Sequence, residues 1–435
     1  MDAIEQFYHR HPYPQVDRVE FDLTLIDRLF YQGRRCGRHH APIRSGASFR
    51  LLVAGCGTRE AVMWALCAPN AQVDAVDLSA DSIAIARHLA EQLGIADRIT
   101  FTQGDLASGV GMSGQYDMIS SFGVLHHLPD PGAGLATLRS HLAPHGVMAL
   151  MMYTHTNRRP LQEARRVVEL LTGEAGLPVE STPRLTSAAL SLCQIGAGQP
   201  NRLQHVFQSG LRDHAVHPAQ FADTLLNPRE VSYSIPEFVE LLDAHNLELL
   251  GPVNPSAWKP LSLIPPDQHE AFLALPMIEQ MEIADLLTSP LLWALVGHPE
   301  PIQRPCDDDE ALFWRRVPLP LEAGHWPVNQ LRVEPRPQWA GIQCRALEQD
   351  RVTLTRDPRY PQVYHKVAQA MVAGIDGKRT LEELSIAAAE SEGTEFPLIK
   401  HTLAKYWRRM LDEQGFTAID LTRCDTCPHR CAPPA

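Results

Sequence analysis

The chain has 435 residues, more than one hydrophobic core usually organises, so we expect two or three domains. Hydrophobic residues make up 44% and charged residues 21%, a globular balance that excludes a disordered or fibrous chain. The formal net charge of -12 argues against nucleic acid as a partner, because a surface that tracks phosphates needs an excess of Lys and Arg.

The first residues lack the basic start and apolar run of a signal peptide. No stretch approaches the roughly 20 apolar residues that are needed to span a bilayer. Six of the nine cysteines stand alone in the sequence, as expected of reduced thiols. We therefore expect a soluble, cytoplasmic protein without a membrane partner. The sequence leaves the oligomeric state open, a dimer included.

The N-terminal segment, residues 1–48, is predicted to be an irregular and partly helical lead-in. Its most distinctive part is the run Phe7-Tyr8-His9-Arg10-His11-Pro12-Tyr13-Pro14. Two prolines constrain the residues before them, so this run cannot be a regular helix throughout.

From residue 49 the pattern changes to short apolar strands that alternate with amphipathic helices. Ser79 is suited to cap one helix and Gly94 to end it. Such alternation predicts an α/β fold with a doubly wound, mostly parallel sheet, covered by helices on both faces. We expect strands over 51–54, 72–76, 98–103, 118–121 and 147–153, and helices over 60–66, from Ser79 to Gly94, and along Leu135, Leu138 and Leu142.

The remaining chain is predicted to add helical units to this sheet. Residues 255–325 are rich in proline, with helical pieces such as 279–287, and a helix over 235–245 precedes a strand over 247–253. Thr380 and Glu383 fit a capping box at the start of a C-terminal helix. The expected units are a lead-in or lid (1–48), a sheet core (49–156), a helical insertion (157–232), the rest of the sheet domain (233–327), a smaller helical, winged-helix-like module (328–421) and a Cys-rich tail (422–435).

Each candidate site residue of the sheet core follows a predicted strand, and open parallel sheets bind ligands at the carboxyl ends of their strands. Gly55 and Gly57 follow the first strand and allow the backbone to turn sharply and approach a ligand. Asp77 ends the second strand, where a carboxylate can accept hydrogen bonds from two ribose hydroxyls. Asp105 follows the third strand, within Gly104-Asp105-Leu106, and is placed to accept a hydrogen bond from an exocyclic amino group.

The segment after the fourth strand is Ser120-Ser121-Phe122-Gly123-Val124-Leu125-His126-His127-Leu128-Pro129-Asp130-Pro131. A strand here ends in a glycine, which is followed by an apolar pair, two histidines and a turn bounded by prolines. Taken singly, each of these four signals also fits an ordinary turn or helix cap. Their fixed order along one sheet is what favours a shared ligand site.

Together these segments resemble the class I S-adenosylmethionine-dependent methyltransferases over about residues 49–153. The stretch from Leu51 to Thr58 is similar to their glycine-rich first motif, although Ala54 stands where the family often has an acid and Arg59 where a third glycine is common. The resemblance implies that S-adenosylmethionine is bound and S-adenosylhomocysteine released. The residues that it implies for the cofactor are Gly55, Cys56, Gly57, Thr58, Asp77, Leu78, Asp105, Leu106, Phe122 and Gly123.

The lead-in also resembles a segment seen ahead of some bacterial methyltransferase domains. There it would fold over the pocket and place Tyr8 and Tyr13 near the transferred methyl group. A general base is needed only if the acceptor must lose a proton. We place His127 and Tyr13 ahead of the other candidates for a catalytic role, which are His126, Tyr8, His9 and Tyr153.

The C-terminal tail holds three cysteines and a histidine within eight residues. Cys424, Cys427, His429 and Cys431 have a spacing that suits zinc or an iron–sulfur cluster. The alternative is a flexible tail with redox-sensitive thiols, because the chain has no second pair of closely spaced cysteines.

The favoured function is methyl transfer to a nitrogen, oxygen or sulfur nucleophile, with a peptide or protein acceptor preferred slightly over a small metabolite or natural product. The C-terminal module and the large insertion are the reason for that preference. A nicotinamide-dependent oxidoreductase is a competing enzyme class, but Arg59-Glu60 breaks its expected glycine spacing. A non-catalytic regulatory protein that binds S-adenosylmethionine is the third alternative.

Overall fold

A seven-stranded sheet forms the centre of the protein. The computed structural model describes residues 3–14, 48–174, 182–197, 218–299, 362–374 and 379–404, together with single residues 26, 29 and 43 and five short strands outside these ranges (20–22, 317–318, 330–333, 342–345 and 419–420). The described strands are β1 (Glu20–Asp22), β2 (Phe49–Ala54), β3 (Ala71–Asp77), β4 (Ile99–Gln103), β5 (Tyr116–Phe122), β6 (Leu142–Met152), β7 (Glu248–Pro252), β8 (Leu292–Gly297), β9 (Val317–Pro318), β10 (Gln330–Val333), β11 (Ile342–Arg345) and β12 (Ile419–Asp420).

Helices surround this sheet and form the other units. They are α1 (Ala3–Arg10), α2 (Glu60–Cys67), α3 (Ala80–Gln92), α4 (Pro131–His141), α5 (His155–Thr172), α6 (Thr182–Ala197), α7 (Pro218–Leu226), α8 (Ile235–Ala244), α9 (His269–Ala274), α10 (Met277–Thr288), α11 (Gln362–Ala373) and α12 (Leu381–Ser391). Residues 396–404 are also helical. No helix in the described part of the chain is long and apolar enough to cross a membrane.

The order of the strands in the sheet is β4-β3-β2-β5-β6-β8-β7. Neighbouring strands from β4 to β6 are parallel, whereas β8 runs antiparallel to both β6 and β7. The carboxyl ends of the parallel strands therefore meet at one edge of the sheet, as the predicted doubly wound α/β fold requires.

The sheet is buried on both faces, which explains why its strands are apolar along their whole length. Side chains alternate along β2, so Leu51 and Val53 join the core under α2 and α3. Leu52 and Ala54 point the other way, into the core under α4, α8 and α10. The helices on the two faces complete the predicted layers.

Local signals in the sequence place most of these elements correctly. The Ser79 hydroxyl accepts a hydrogen bond from the Ser82 N–H at the start of α3, and Gly94 has a φ of 68° just beyond its end. The interpretation of Leu142 as a helix residue is wrong, because α4 ends at His141 and Leu142 begins β6. Leu142 nevertheless shares one core with Leu135 and Leu138, which is why all three fit one apolar spacing.

The sequence does not predict strand β8, because the segment 255–325 has the pattern of proline-rich loops with helical pieces. Its sequence is an unbroken apolar run, since Leu295 faces one core while Ala294 and Val296 face the other. A short run without alternation fits a buried helix turn as well as a strand. Only pairing with β6, where Ala294 lies opposite Leu150, decides between the two.

The predicted helical insertion is present as α5, α6 and α7. These helices pack around a separate core that includes Val168, Leu185 and Phe221. The insertion begins directly after β6, because the Thr154 hydroxyl caps α5 by accepting a hydrogen bond from the Asn157 N–H.

The C-terminal unit is built from α11, α12 and residues 396–404, which share one core. The capping box of Thr380 and Glu383 is confirmed, with both reciprocal hydrogen bonds present. The unit predicted as helical over 328–421 also contributes strands, because β10 pairs with β11 and with β1 of the lead-in, and β12 pairs with β9.

Leu295→Ala in β8 is expected to destabilise the sheet by about 2–4 kcal/mol, because Leu295 is 1% exposed and the substitution leaves a cavity. The matched control is Leu291→Ala, whose side chain is 45% exposed and precedes the strand. The free energies of unfolding are measured by urea denaturation. Equal losses in the two variants would contradict the placement of β8 in the centre of the sheet.

Candidate functional site

The glycine loop after β2 brings backbone N–H groups to the carboxyl edge of the sheet. Gly55 has a φ of 83° and donates a 2.7 Å hydrogen bond to the Val76 carbonyl. A Cβ at Gly55 would lie 2.2 Å from Val124 Cγ2, so only glycine permits this contact with the loop after β5. Gly57 has a φ of 53° and donates a 2.7 Å hydrogen bond to Asp77 Oδ2.

Asp77 ties this loop to the next strand. Its second oxygen, Oδ1, accepts a 2.8 Å hydrogen bond from the Ser79 N–H at the cap of α3. Burial raises the pKa of the Asp77 carboxyl, while the N–H donors of Ser79 and Gly57 oppose that rise. The carboxylate is thus held at the strand end by backbone donors on both of its oxygens.

Asp105 lies at the same edge of the sheet as Asp77. The Gly104 N–H donates a 2.9 Å hydrogen bond to the Asp77 carbonyl, which joins the ends of β3 and β4. The Asp105 side chain is exposed and caps a short helical turn by accepting a 2.9 Å bond from the Ala107 N–H. Leu106 beside it is buried. The two predicted acids therefore belong to one surface rather than to opposite sides of the fold.

The other residues predicted for the cofactor lie on the same loops. Leu78 is half-buried, and its carbonyl accepts a 3.1 Å hydrogen bond from Gln103 Nε2. Phe122 packs edge-on against Trp293, with ring centroids 4.7 Å apart. The remaining members are Cys56, which is buried, and Gly123, which is half-buried with a φ of 70°.

The N-terminal segment lies against the glycine loop. The Thr58 N–H donates a 3.2 Å hydrogen bond to the Tyr13 carbonyl, and the Thr58 hydroxyl donates to the Pro14 carbonyl. A Cβ at Gly57 would lie 2.6 Å from the Tyr13 carbonyl oxygen. The absence of a side chain at Gly57 therefore lets the segment approach the loop closely.

Beside the glycine loop, on the β5 and β6 side, lies a buried polar cluster that we call the tyrosine–histidine cluster. Its members lie on or shortly after α1 and α7, after the ends of β5 and β6, and on α5. The cluster consists of Tyr8, Tyr13, His126, His127, Tyr153, Arg158, Asp223, Asn227 and Glu230.

Tyr153 is the centre of this cluster. The His126 ring stacks on it at 3.7 Å between centroids, and the His127 ring meets it edge-on at 5.9 Å. The Arg158 guanidinium lies 4.1 Å from the Tyr153 ring centroid and pairs with Glu230. Both members of the Arg158–Glu230 pair are buried. Such a pair fixes the geometry around Tyr153 more than it stabilises the fold.

His127 is held in one tautomer. Its Nδ1 lies 2.6 Å from the Arg229 carbonyl oxygen, which can only accept, so Nδ1 carries the proton and Nε2 the lone pair. Burial lowers the pKa of His127, although Asp223 and the Arg229 carbonyl oppose this effect. His127 is therefore a neutral imidazole near pH 7, with an unprotonated Nε2.

Tyr13 has a different chemical character from His127. Burial raises the pKa of Tyr13, and the charge of Asp223 raises it further. The same two causes, burial first, raise the pKa of Tyr8. These hydroxyls stay protonated at physiological pH, so they can donate hydrogen bonds but do not take up a proton. The catalytic role of Tyr13 stays a prediction, and its protonated hydroxyl is suited to donating a hydrogen bond rather than to acting as a base.

No sequence motif marks Glu60, Asp223 or the Arg158–Glu230 pair as residues of the site. Glu60 follows Arg59 on α2, and its Oε1 accepts hydrogen bonds from the Ser120 hydroxyl and, at 3.3 Å, from Trp64 Nε1. Burial raises the pKa of Glu60 to about 8. In the sequence Glu60 has the appearance of an ordinary acid in a first helical turn, so no local pattern marks it.

The predicted metal ligands Cys424, Cys427, His429 and Cys431 lie outside the described residues. Within the described ranges, no group of three or more His, Cys, Asp or Glu side chains is arranged to hold a metal ion.

Comparisons with known proteins agree with this geometry. Residues 52–148 match the family model of a methyltransferase domain. That part of the chain is a class I S-adenosylmethionine-dependent methyltransferase domain. Over 151 residues the chain is 34% identical to trans-aconitate 2-methyltransferase of Deinococcus radiodurans, covering 33% of this chain and 55% of that protein. Over 103 residues it is 50% identical to ribosomal protein uL3 glutamine methyltransferase of Burkholderia pseudomallei, covering 23% and 32%.

The methyltransferase domain is thus the shared part, and the chain spans about half the length of the curated relatives that it matches over the longest stretches. The fold is similar to that of PKMT2 from Rickettsia typhi, with a TM-score of 0.59 at 16% identity. That likeness covers 94% of this chain and 76% of the other, and at this identity it concerns the fold alone.

Gly57→Ala is expected to weaken the binding of S-adenosylmethionine about tenfold or more, because the new Cβ displaces the Tyr13 carbonyl and the Gly57–Asp77 contact. The control is Gly94→Ala, which has a similar φ of 68° and open space around the new Cβ. Both variants lose about 1 kcal/mol of stability from the left-handed backbone. Calorimetric titration should show weaker binding in Gly57→Ala alone.

Glu60→Gln is expected to change how stability depends on pH. Because the folded chain raises the pKa of Glu60 from its ordinary value near 4.5 to about 8, its contribution is full at low pH. That contribution is lost as the pH rises between these values, by at most about 1.4 kcal/mol per pH unit. Glutamine mimics the protonated acid, so the variant should equal the wild type at pH 4, below the ordinary pKa, and exceed it at pH 9.

The measurement is urea unfolding at several pH values, with the exposed Glu91→Gln as the control. If wild type and Glu60→Gln have parallel pH profiles, Glu60 does not bind its proton more tightly in the folded chain.

Proposed function

We propose that the protein transfers the methyl group of S-adenosylmethionine to a nucleophile on a peptide or protein, releasing S-adenosylhomocysteine. The observation that carries this proposal is the edge of the sheet, where β4, β3, β2 and β5 end side by side. Asp105, Asp77, the glycine loop and Gly123 follow these strands in that order. A ligand with a purine, a ribose and an amino acid in sequence matches this order.

The residues present fit such a cofactor. The glycine loop has no Cβ at Gly55 or Gly57 and leads into the N-terminus of α2, which favours the carboxylate of an amino acid. Asp77 would accept hydrogen bonds from the ribose hydroxyls, and Asp105 one from the adenine amino group, with Leu106 against the ring. The other proposed contacts are Cys56, Thr58, Leu78, Phe122 and Gly123.

The tyrosine–histidine cluster would supply the acceptor side. The bound cofactor contributes a methyl group that is already activated by the sulfonium charge, so the protein mainly positions the acceptor and excludes water. His127 Nε2 would take up a proton from an acceptor that must lose one. The hydroxyl of Tyr13 would donate a hydrogen bond and help to orient the acceptor.

The name of one relative, the ribosomal protein uL3 glutamine methyltransferase, supports a peptide or protein acceptor. The C-terminal unit and the insertion add surfaces beyond the methyltransferase domain that a polypeptide can occupy. A small-molecule acceptor is the second candidate, because another relative is named for trans-aconitate. Neither relative matches this chain over more than 151 residues, so neither name decides the acceptor.

Asp77→Asn is expected to weaken S-adenosylmethionine binding by about tenfold or more, because an amide loses the charge and turns an N–H group toward a backbone donor. The control is Asp97→Asn, whose side chain is exposed beyond the opposite edge of the sheet. Titration calorimetry measures both affinities, and urea unfolding checks that each variant is folded.

Retention of affinity in Asp77→Asn would remove Asp77 from the cofactor site. Absence of S-adenosylmethionine binding by the wild type would overturn the proposed function itself. With binding established, S-adenosylhomocysteine release on addition of a tryptic peptide pool, compared with a filtrate of small metabolites, distinguishes the two acceptor classes.

A further inference from the structure

Asp223 is a buried acid that the cofactor does not account for. Its side chain lies on α7, is 6% exposed, and accepts hydrogen bonds from the Tyr8 hydroxyl at 2.7 Å and from Asn227 Nδ2 at 3.3 Å. Within the described part of the chain it forms no ion pair. Both of its partners are neutral donors, so the Asp223 carboxylate is hydrogen-bonded but is not directly paired with a cation among the described residues.

The guanidinium of Arg158, which lies over the Tyr153 ring, already has its own partners. Arg158 pairs with Glu230 and donates a 2.8 Å hydrogen bond to the Thr224 carbonyl, while its guanidinium lies over the Tyr153 ring. Its direct polar contacts are therefore made to Glu230 and the Thr224 carbonyl, and none of them is made to the Asp223 carboxylate. Asp223 in turn acts electrostatically on Tyr13 and on His127, which places its charge within the cluster rather than at the surface.

The histidines of the cluster provide an independent sign that it receives a ligand. His126 is fully buried, yet neither of its ring nitrogens has a hydrogen-bond partner among the described residues. His127 Nε2 likewise makes no hydrogen bond within those residues, since only Nδ1 is bonded. Polar atoms in this state are expected to be satisfied by a group that enters the cluster.

The cluster also lies where an acceptor must be. Along the edge of the sheet, the purine and ribose residues follow β4 and β3, and the glycine loop follows β2. His127 and Tyr153 follow β5 and β6 on the far side of the glycine loop, and Tyr13 bridges the two sides through its contact with Thr58. The group that receives the methyl would therefore approach from the cluster.

We infer that the acceptor is an amine that arrives as an ammonium ion, with Asp223 as its charge partner and His127 Nε2 as the site that takes up its proton. This inference rests on the proposed function and names its substrate class. A carboxylate acceptor would face Asp223 and Glu230 while the Arg158 guanidinium is engaged with Glu230, and a thiol would leave the charge of Asp223 unused.

The step balances on these residues. The ammonium gives one proton to His127 Nε2, and the nitrogen lone pair then forms the bond to the methyl carbon as the carbon–sulfur bond breaks and its electron pair stays on sulfur. Asp223 offsets the positive charge that remains on the methylated nitrogen. The protonated Tyr13 hydroxyl completes a site that holds a cation through oxygen atoms and aromatic rings, while the Tyr8 hydroxyl is engaged with Asp223.

Three cofactor analogues test the inference without knowledge of the acceptor. Sinefungin carries an ammonium group at the position of the transferred methyl, S-adenosylmethionine carries a sulfonium without N–H donors, and S-adenosylhomocysteine carries neither charge. Asp223→Asn should weaken the binding of sinefungin about tenfold relative to that of S-adenosylhomocysteine. It should weaken the binding of S-adenosylmethionine clearly less than that of sinefungin. All affinities are measured by calorimetry on the full chain.

The matched control is Tyr8→Phe, which removes one hydrogen bond to Asp223 but keeps its charge. If Tyr8→Phe lowers the preference for sinefungin as much as Asp223→Asn does, Asp223 only tethers α1 and the inference is wrong. Equal weakening of sinefungin and S-adenosylmethionine would assign Asp223 to the sulfonium instead, and an unchanged preference would remove it from the site. If none of the three analogues binds the wild type, the proposed function fails rather than the choice of acceptor.

Discussion

The hydrogen bond from the Gly57 N–H to the Asp77 carboxylate is the contact on which the cofactor side of the site depends. It forms because β2 and β3 are parallel neighbours that end at the same edge, with Ala54 opposite Val76. The same glycine admits the Tyr13 carbonyl on its other side. One residue without a side chain therefore joins a strand end, the next strand's acid and the N-terminal segment.

The two sides of the site use charge differently. On the cofactor side, backbone N–H groups hold the half-buried acid Asp77 by both oxygens. The acceptor side instead buries Arg158, Glu230 and Asp223 close together. Burying charged groups costs free energy unless they are paired, and such groups are better suited to selecting a partner than to stabilising a fold. Under the proposed function, the cofactor side is the general scaffold and the acceptor side is the part that would determine specificity.

Most of the sheet and the conformation of the loops that carry the proposed cofactor residues were predictable, because each signal is local. Gly55 and Gly57 stand beside the strand that positions them, Ser79 caps its own helix, and Thr380 and Glu383 form a box within one turn. Strand β8 escaped prediction because burial on both faces removes alternation. Its placement follows only from pairing with β6, which lies more than a hundred residues earlier.

The acceptor side was not predictable for a related reason. Tyr8 and Asp223 are 215 positions apart, and no pattern within α1 or α7 announces that their side chains meet. The match to the family model ends at residue 148. It therefore includes His127 but not Tyr153, Arg158 or Asp223. Relatives whose names give different acceptors match only 33% and 23% of this chain. The division between the two sides of the site is physically reasonable, because residues supplied by the N-terminal segment and the insertion can change without disturbing the strand ends that would hold the cofactor.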